Sequence, residues 1–423
     1  MIRGHLSVRL QMRFYLVVAL ILVTLGTAIS TGFGLFFRLI YVLALTLFLS
    51  YVWNWMMMRG LAARGTRRTT QAQVGDTVDE SITVHNSSKL PKHALEVHDM
   101  TDLPGYTGGM VTSMFGSTAN SWEVKIPARK RGRYTLGPVK VSNIDPFGMF
   151  RRERVFGDTD SVLIFPRVHK LPNFAIPPAD ISGDSAVHTR TYNVTPHASA
   201  IRDYAPGDSL SRVHWVSSAR LGKLMSKEFD LGRAAEVWAV VDLEQGIQAG
   251  ELEESTDEYA VSIAASLAKH HVDAGLPVGL LSYADKRYFV AAETGAGQLQ
   301  RIMQFLALSK AEGTTPLEVV LPKEEPLWSH LSTVLVITSS PRVEWVTALR
   351  ELSRRGVKVV VVMVDAASFG SSIETVGVEE HMKEAGLPLY MVRKGDDIPM
   401  VMSRGGGVSA APPMRPREVG VQI

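Results

Sequence analysis

Between Ile201 and Phe229 the chain reads IRDYAPGDSLSRVHWVSSARLGKLMSKEF, an imidazole, a phenol, an indole, carboxylates and guanidinium groups in one short stretch. Three kinds of chemistry use such a set. His214 with Asp208 has the residue types of proton transfer, in which an imidazole carries the proton and a carboxylate orients it. Arg202, Tyr204, Trp215 and Arg220 have the composition of a protein-binding hot spot. The third use is structural. Arg202, Arg212, Arg220, Lys223 and Lys227 nearly balance Asp203, Asp208, Glu228 and Asp230, and balanced charge favours mutual pairing, here as a clasp between two domains. Pro206-Gly207-Asp208 reads as a turn, and Asp208 or Ser209 is placed to cap a short helix through Leu210, Val213 and Val216. No nucleophile with a visible base and orienting group completes a catalytic set.

A second candidate follows in VVDLEQG, where Asp242 and Glu244 stand at the end of an apolar run. In an α/β sheet this is the carboxyl edge of a strand, where ligands bind. The order of elements around it resembles a von Willebrand factor type A domain, whose metal site begins with Asp-x-Ser-x-Ser. Here Glu244 and Gly246 replace both hydroxyl positions, and VITSSP supplies Thr338, Ser339 and Ser340 where that family has its later aspartate. Mg²⁺ demands near-octahedral oxygen ligands, so the pattern implies a degenerate site and no bound cofactor. Asp242 and Glu244 holding a cation through waters, or a plain polar loop edge, are the two readings left.

Other chemistries find no support. With no cysteine, disulfides, thiolate catalysis and cysteine-ligated metals are excluded. TGAGQ, Thr294 to Gln298, is the nearest approach to a phosphate loop and lacks a lysine partner. Neither G-x-S-x-G nor H-E-x-x-H occurs. His270 and His271 are adjacent on a helical pattern, point about 100° apart and cannot share a metal; they read as a partly exposed face. A net charge of +3 over 423 residues gives no concentrated positive surface for nucleic acid.

The elements that must position these residues fall into blocks. Phe14 to Phe37 carries no charge, and after Arg38 the apolar run resumes until Arg59. Each run reaches the roughly 20 residues that cross a bilayer as a helix, with STGFG, Ser30 to Gly34, as the turn. Arg3, Arg9 and Arg13 before the pair, and Arg59, Arg64, Arg67 and Arg68 after it, outnumber the single Arg38. The positive-inside rule then places both flanks in the cytoplasm. Next come short alternating runs, 81–86, 93–100, 121–126, 133–143 and 161–166, separated by turn clusters, as in an antiparallel sandwich. ARKRGR, Ala128 to Arg133, is the densest basic run there and reads as a solvated loop facing anionic lipid in preference to a specific anion site. From about residue 234, near-continuous apolar strands alternate with helical patterns at 255–275, 297–309 and 343–355, which implies a doubly wound, mainly parallel sheet. The expected blocks are a cytoplasmic N-terminus (1–13), two transmembrane helices (14–58), a β-sandwich (65–170), a linker holding the signature segment (171–233), a von Willebrand factor A-like α/β domain (234–400) and a disordered tail (401–423).

Arg202, Tyr204, Gly207, Asp208, His214, Trp215, Ala219 and Arg220 form the pattern Arg-x-Tyr-x-x-Gly-Asp, His-Trp, Ala-Arg. It resembles the signature of the Domain of Unknown Function 58 family. The likeness extends over roughly residues 10 to 400, through Arg-Gly-x-Tyr-x-Leu-Gly-Pro (Arg131 to Pro138) and Asp-Pro-Phe-Gly (Asp145 to Gly148). His214 departs from it, since that family more often has aspartate there. The resemblance implies a membrane-anchored partner of a MoxR-type AAA+ ATPase and of a client protein, with no established catalytic residues. The expectation is therefore a non-enzymatic adaptor in the cell membrane whose signature segment is a docking surface or a domain clasp; the alternative is a hydrolase or transferase using Asp208 and His214.

Overall fold

The computed structural model describes residues 6–67, 69–106, 108–172, 174, 198–204, 213–229, 236–372 and 376–403. It is of mixed α/β content, in two compact units: 1–167 with 303–309, and 168–302 with 310–423.

The first unit opens with the helices Met12–Thr31 and Gly34–Met58. Their mean hydropathy peaks at 2.1, and the rest of the chain covers only 11% and 6% of their most apolar windows. Both are long and apolar enough to span a bilayer. Threonine hydroxyls inside the first helix are satisfied locally, Thr24 Oγ1 donating to Leu20 O at 2.6 Å and Thr31 Oγ1 to Thr27 O at 2.7 Å.

The pair is stitched into β structure at both ends. Leu6–Leu10, which the sequence pattern does not announce, pairs antiparallel with Phe150–Phe156, with Leu10 opposite Phe150. Leu61–Arg67 follows the second helix directly and pairs with Thr77–Asn86, with Leu61 opposite Asn86. Asn54, fully buried near the end of the second helix, donates to Asn143 O at 3.2 Å and Phe150 O at 2.9 Å. Lys92 is also fully buried and donates to Met56 O at 2.5 Å, placing a cation against the negative end of that helix dipole.

Thr77–Asn86 alternates buried and exposed positions along its length, the period-two pattern of a half-buried strand. It lies between Leu61–Arg67 and Ala119–Pro127 in a three-stranded antiparallel sheet. A five-stranded antiparallel sheet runs in the order 6–10, 150–156, 139–144, 92–99, 109–114. Ile82 and Val84 from the smaller sheet join Leu95, Val97, Val139 and Val141 from the larger in one apolar cluster, to which Met58 of the second helix also belongs. The run expected as one strand over 133–143 is two, Gly132–Leu136 and Val139–Ile144, in different sheets. Pro138 has no N–H for a ladder, so the run breaks there. The basic run at 128–133 is neither fully solvated nor near the helices. Arg131 is buried, and the register Thr77↔Pro127 against Leu61↔Asn86 puts 127 at the strand end remote from the helix base.

In the second unit a six-stranded sheet runs in the order 287–293, 278–283, 236–242, 332–338, 358–364, 389–392. All neighbouring pairs are parallel except Val278–Tyr283 with Arg287–Glu293. That edge strand, with its exposed alternate positions, and the helix Leu317–Glu324 are additions to the sequence reading. The expected helices lie at Thr256–Asp273, Ala296–Leu308 and Glu344–Arg354. Trp238, Trp328 and Trp345 are buried in one core cluster. His271 corrects the expectation of a partly exposed histidine face. It is 4% exposed, with Phe174 edge-on at 5.9 Å, and burial holds its pKa down at about 4, so it is neutral.

Candidate functional site

The signature segment is built on a two-stranded antiparallel ribbon, Ala198–Asp203 with Met225–Phe229. Arg202 stands in it opposite Ser226, and Tyr204 N donates to Leu224 O at 3.0 Å just beyond. Gly207 and Asp208 lie outside the described residues. Between the strands sits the helix Trp215–Leu221.

The expected caps Asp208 and Ser209 lie outside the described residues; the described helix begins after His214, and Val213, expected within a helix, is a buried residue before it. His214 is the N-cap: its Nδ1 accepts the Ser217 N–H at 3.2 Å and lies 2.8 Å from Ser217 Oγ. Ser218 Oγ donates to His214 O at 3.0 Å and accepts Met225 N–H at 2.9 Å, tying helix to ribbon. Gly222, at φ 65, supplies the left-handed residue that ends the helix. An N-cap needs a side-chain acceptor for the N3 amide, and aspartate, which the resemblance leads one to expect at position 214, is among the best. A neutral imidazole nitrogen does the same work.

With its termini satisfied, the helix leaves its apolar side uncovered. Trp215 is 65% exposed and Val216 75%. Leu221 and Leu224 are exposed beside them. Arg220 lies four residues after Val216 and hence on the same face. The His214–Ser217 pair, which sequence reasoning missed, is at the reach of a base and its nucleophile. The same nitrogen accepts the Ser217 amide, however, so it is committed to the cap.

The second candidate lies where the strand order reverses, between Glu236–Asp242 and Ser332–Thr338, the switch point at which open α/β sheets take ligands. Asp242 is 6% exposed. Its Oδ2 accepts Thr338 Oγ1 at 2.7 Å and its Oδ1 accepts Glu244 N–H at 3.2 Å. Burial raises its pKa to about 6, against the lowering effect of the Thr338 bond. Glu244 pairs with Arg342, whose Nε lies 3.1 Å from Glu318 Oε1. Ser339 and Ser340 are buried next to Thr338, and among the described residues their hydroxyls have no hydrogen-bond partner. The sequence brought Asp242, Glu244 and Thr338 to one edge correctly; Arg342 was the group it missed. A guanidinium meets Glu244 in this arrangement, and among the described residues no group of three or more histidine, aspartate or glutamate side chains is placed to hold a metal.

The model of the family described as "Protein of unknown function DUF58" matches residues 200–377. This region is similar to the DUF58 family. The DUF58 match starts in the ribbon and runs past the fifth strand of the sheet, so both candidate sites lie inside it. "Uncharacterized protein YeaD" of Bacillus subtilis (strain 168) is 21% identical over 336 residues, covering 77% of this chain and 81% of that protein. Among solved structures, the pilus adhesin SpaC from Lactobacillus rhamnosus GG overlays 41% of this chain and 30% of its own at 10% identity and TM-score 0.31. Proximal thread matrix protein 1 from the mussel byssus overlays 40% and 45% at 11% identity and TM-score 0.29. Likenesses this slight carry no argument about fold or function.

Proposed function

We propose that this chain is a membrane-anchored, non-enzymatic adaptor in the cell membrane, crossing it twice with its two units on the cytoplasmic side, and that the signature helix docks a MoxR-type AAA+ ATPase or its client. We read the first unit as an antiparallel β-sandwich and the second as a von Willebrand factor A-like domain that has given up its metal. The observation that carries the docking role is the uncovered side of Trp215–Leu221. A large aromatic, two aliphatic residues and an arginine on a rigidly capped scaffold have hot-spot composition, and exposing them in water has no folding benefit. The switch-point edge supports the non-enzymatic half. Asp242 is engaged by Thr338 and Glu244 by Arg342.

The test uses the full chain in detergent, because Leu6–Leu10 and Leu61–Arg67 are strands of the first unit and a fragment starting at residue 65 would cut one of them. Mixed with a MoxR-type ATPase, the wild type co-elutes, and Trp215→Ala or Arg220→Ala abolishes co-elution without lowering the unfolding temperature. Co-elution that survives both substitutions removes the docking role from this helix. The hydrolase or transferase reading has one observation in its favour, the 2.8 Å His214–Ser217 contact; turnover abolished by His214→Ala but kept in His214→Asp would separate catalysis from capping.

A further inference from the structure

The three- and five-stranded sheets of the first unit each turn one row of strand ends toward the base of the two apolar helices. Leu10, Leu61, Asn86, Lys92, Met114, Ala119, Ile144 and Phe150 are all at strand ends beside the helix base, and the loops joining them gather there. Ser87 N donates to Gly60 O at 2.8 Å, Asn86 Nδ2 donates to Phe115 O and Leu90 O at 2.9 Å, and Ser117 N donates to Ser88 O at 2.9 Å. On the other flank Gln11 N donates to Met149 O at 3.0 Å and Arg13 Nη1 to Phe147 O at 3.3 Å. Three loop tips therefore surround the base of the hairpin, and each carries a large apolar residue in the open: Leu90 at 44% exposure, Phe115 at 81% and Phe147 at 56%.

These tips are held out by rigid local structure. Asp145 is buried and accepts the amides of Phe147, Met149 and Phe150 at 3.0, 2.8 and 2.6 Å, which fixes the turn that presents Phe147. Gly116 permits the close approach of the two loops on the other flank, since a Cβ there would lie 2.1 Å from Lys89 O. The height is right as well. The 20 residues of Met12–Thr31 rise about 30 Å, the thickness of a hydrocarbon layer, so a bilayer that begins at the Gly32 turn ends at Arg13, the residue bonded to the Phe147 carbonyl. Charge agrees. The near loops and helix flanks expose Arg13, Arg59 and Lys89, and their one carboxylate, Asp145, is buried. The loops at the opposite strand ends expose Asp76, Asp102 and Asp158 together with Arg129, so both signs are present there.

We infer that the first unit is seated on the bilayer, with Leu90, Phe115 and Phe147 inserted at the boundary between headgroups and acyl chains and the adjoining Arg13, Arg59 and Lys89 facing anionic lipid phosphates. This rests on the reading that the two helices span the membrane. Burying two phenyl rings and an isobutyl group at the boundary adds apolar contact to the hairpin, and the cations add electrostatic attraction to anionic lipid. The consequence is orientation: a three-point collar fixes how the unit stands on the membrane, which two helices alone leave free to tilt.

The chain has no cysteine, so a single introduced cysteine takes a nitroxide label at one place. Full-length protein carrying Phe115→Cys, Phe147→Cys, Met100→Cys or Leu22→Cys is reconstituted in phosphatidylcholine vesicles containing phosphatidylglycerol. Collision with oxygen, which partitions into lipid, is then compared with collision with a water-soluble nickel chelate. Met100 is the aqueous reference, because it follows the strand Lys92–Asp99 at its remote end, about 25 Å from Lys92. Leu22 reports the helix itself. The expected result is a high oxygen-to-nickel ratio at 22, an intermediate one at 115 and 147, and a low one at 100. Labels at 115 and 147 that match 100 while 22 stays in lipid overturn the seating alone. A label at 22 that meets the nickel chelate overturns the membrane-spanning reading, and the seating with it. Broadening at 115 or 147 that vanishes on dilution with unlabelled protein identifies a second copy as the occupant and overturns the lipid assignment.

Discussion

Replacing Glu80 by glutamine should remove a slope from the pH dependence of stability. Glu80 is 1% exposed and Asp99 0%, and both face the single guanidinium of Arg67, whose Nε lies 3.3 Å from Glu80 Oε1 and whose Nη2 lies 3.9 Å from Asp99 Oδ1. Arg67 also pairs with Asp160 at 2.6 Å, a residue open to water. One cation cannot balance two buried carboxylates, so burial, and after it the neighbouring Asp99, pushes the Glu80 pKa up to about 8. In the unfolded chain it returns to 4.5. The folded value is the raised one. Stability from this group is therefore complete below about pH 4.5, is lost as pH climbs toward 8, and is level above that. The slope is at most about 1.4 kcal/mol per pH unit, which over this window sums to at most about 5 kcal/mol. For a unit of this size that is a fall on the order of 10 °C in melting temperature. The assay is thermal unfolding of the full chain in detergent from pH 5 to pH 8, wild type against Glu80→Gln. The amide cannot ionise, so the variant should hold its melting temperature while the wild type declines. Parallel curves would show that Glu80 is ionised throughout and would refute the argument.

Two further outcomes follow from the candidate sites. His214→Ala should cost about 1 kcal/mol in local stability and raise amide exchange at Ser217 and Ser218, whereas His214→Asp should leave exchange unchanged because either side chain caps the helix; equal exchange in both variants would refute the cap. At the switch point, titrating Mg²⁺ into wild type and Asp242→Ala should give the same heat by calorimetry, since Arg342 occupies Glu244 and a metal would have to displace it. A saturable heat that Asp242→Ala removes would show that a cation is held there.

The sequence was most informative where a residue acts through its neighbours in the chain. The apolar length of the two helices, the alternation of 77–86 and the continuous apolar runs of 236–242, 332–338 and 358–364 each specify an element without reference to the rest of the fold. Strands whose stability comes from a distant partner were invisible. Leu6–Leu10 has exposed Val8 and Leu10 and an arginine between them, and it is a strand because Phe150–Phe156 offers it an edge. Gly109–Met114 hides behind a glycine-rich turn for the same reason. Lys92 and Asn54 read as ordinary polar residues, and only the tertiary approach of a helix end to a strand buries them.

The two candidate sites differ in the same way. Their residues were legible because both stand at chain positions that a fold makes special: Asp242 at a strand's carboxyl end, His214 and Trp215 at a helix start. What decided their chemistry was not local. Arg342 reaches Glu244 from the far side of the switch point, nearly a hundred residues along the chain, and turns two carboxylates that look like metal ligands into one partner of a guanidinium and one of a threonine. Position 214 shows the converse. Histidine, where the resemblance leads one to expect aspartate, offers no carboxylate to any scheme that needs one there, yet its Nδ1 is the acceptor that the Ser217 amide requires. The cap it makes secures the start of the helix on which Trp215 and Val216 stand exposed.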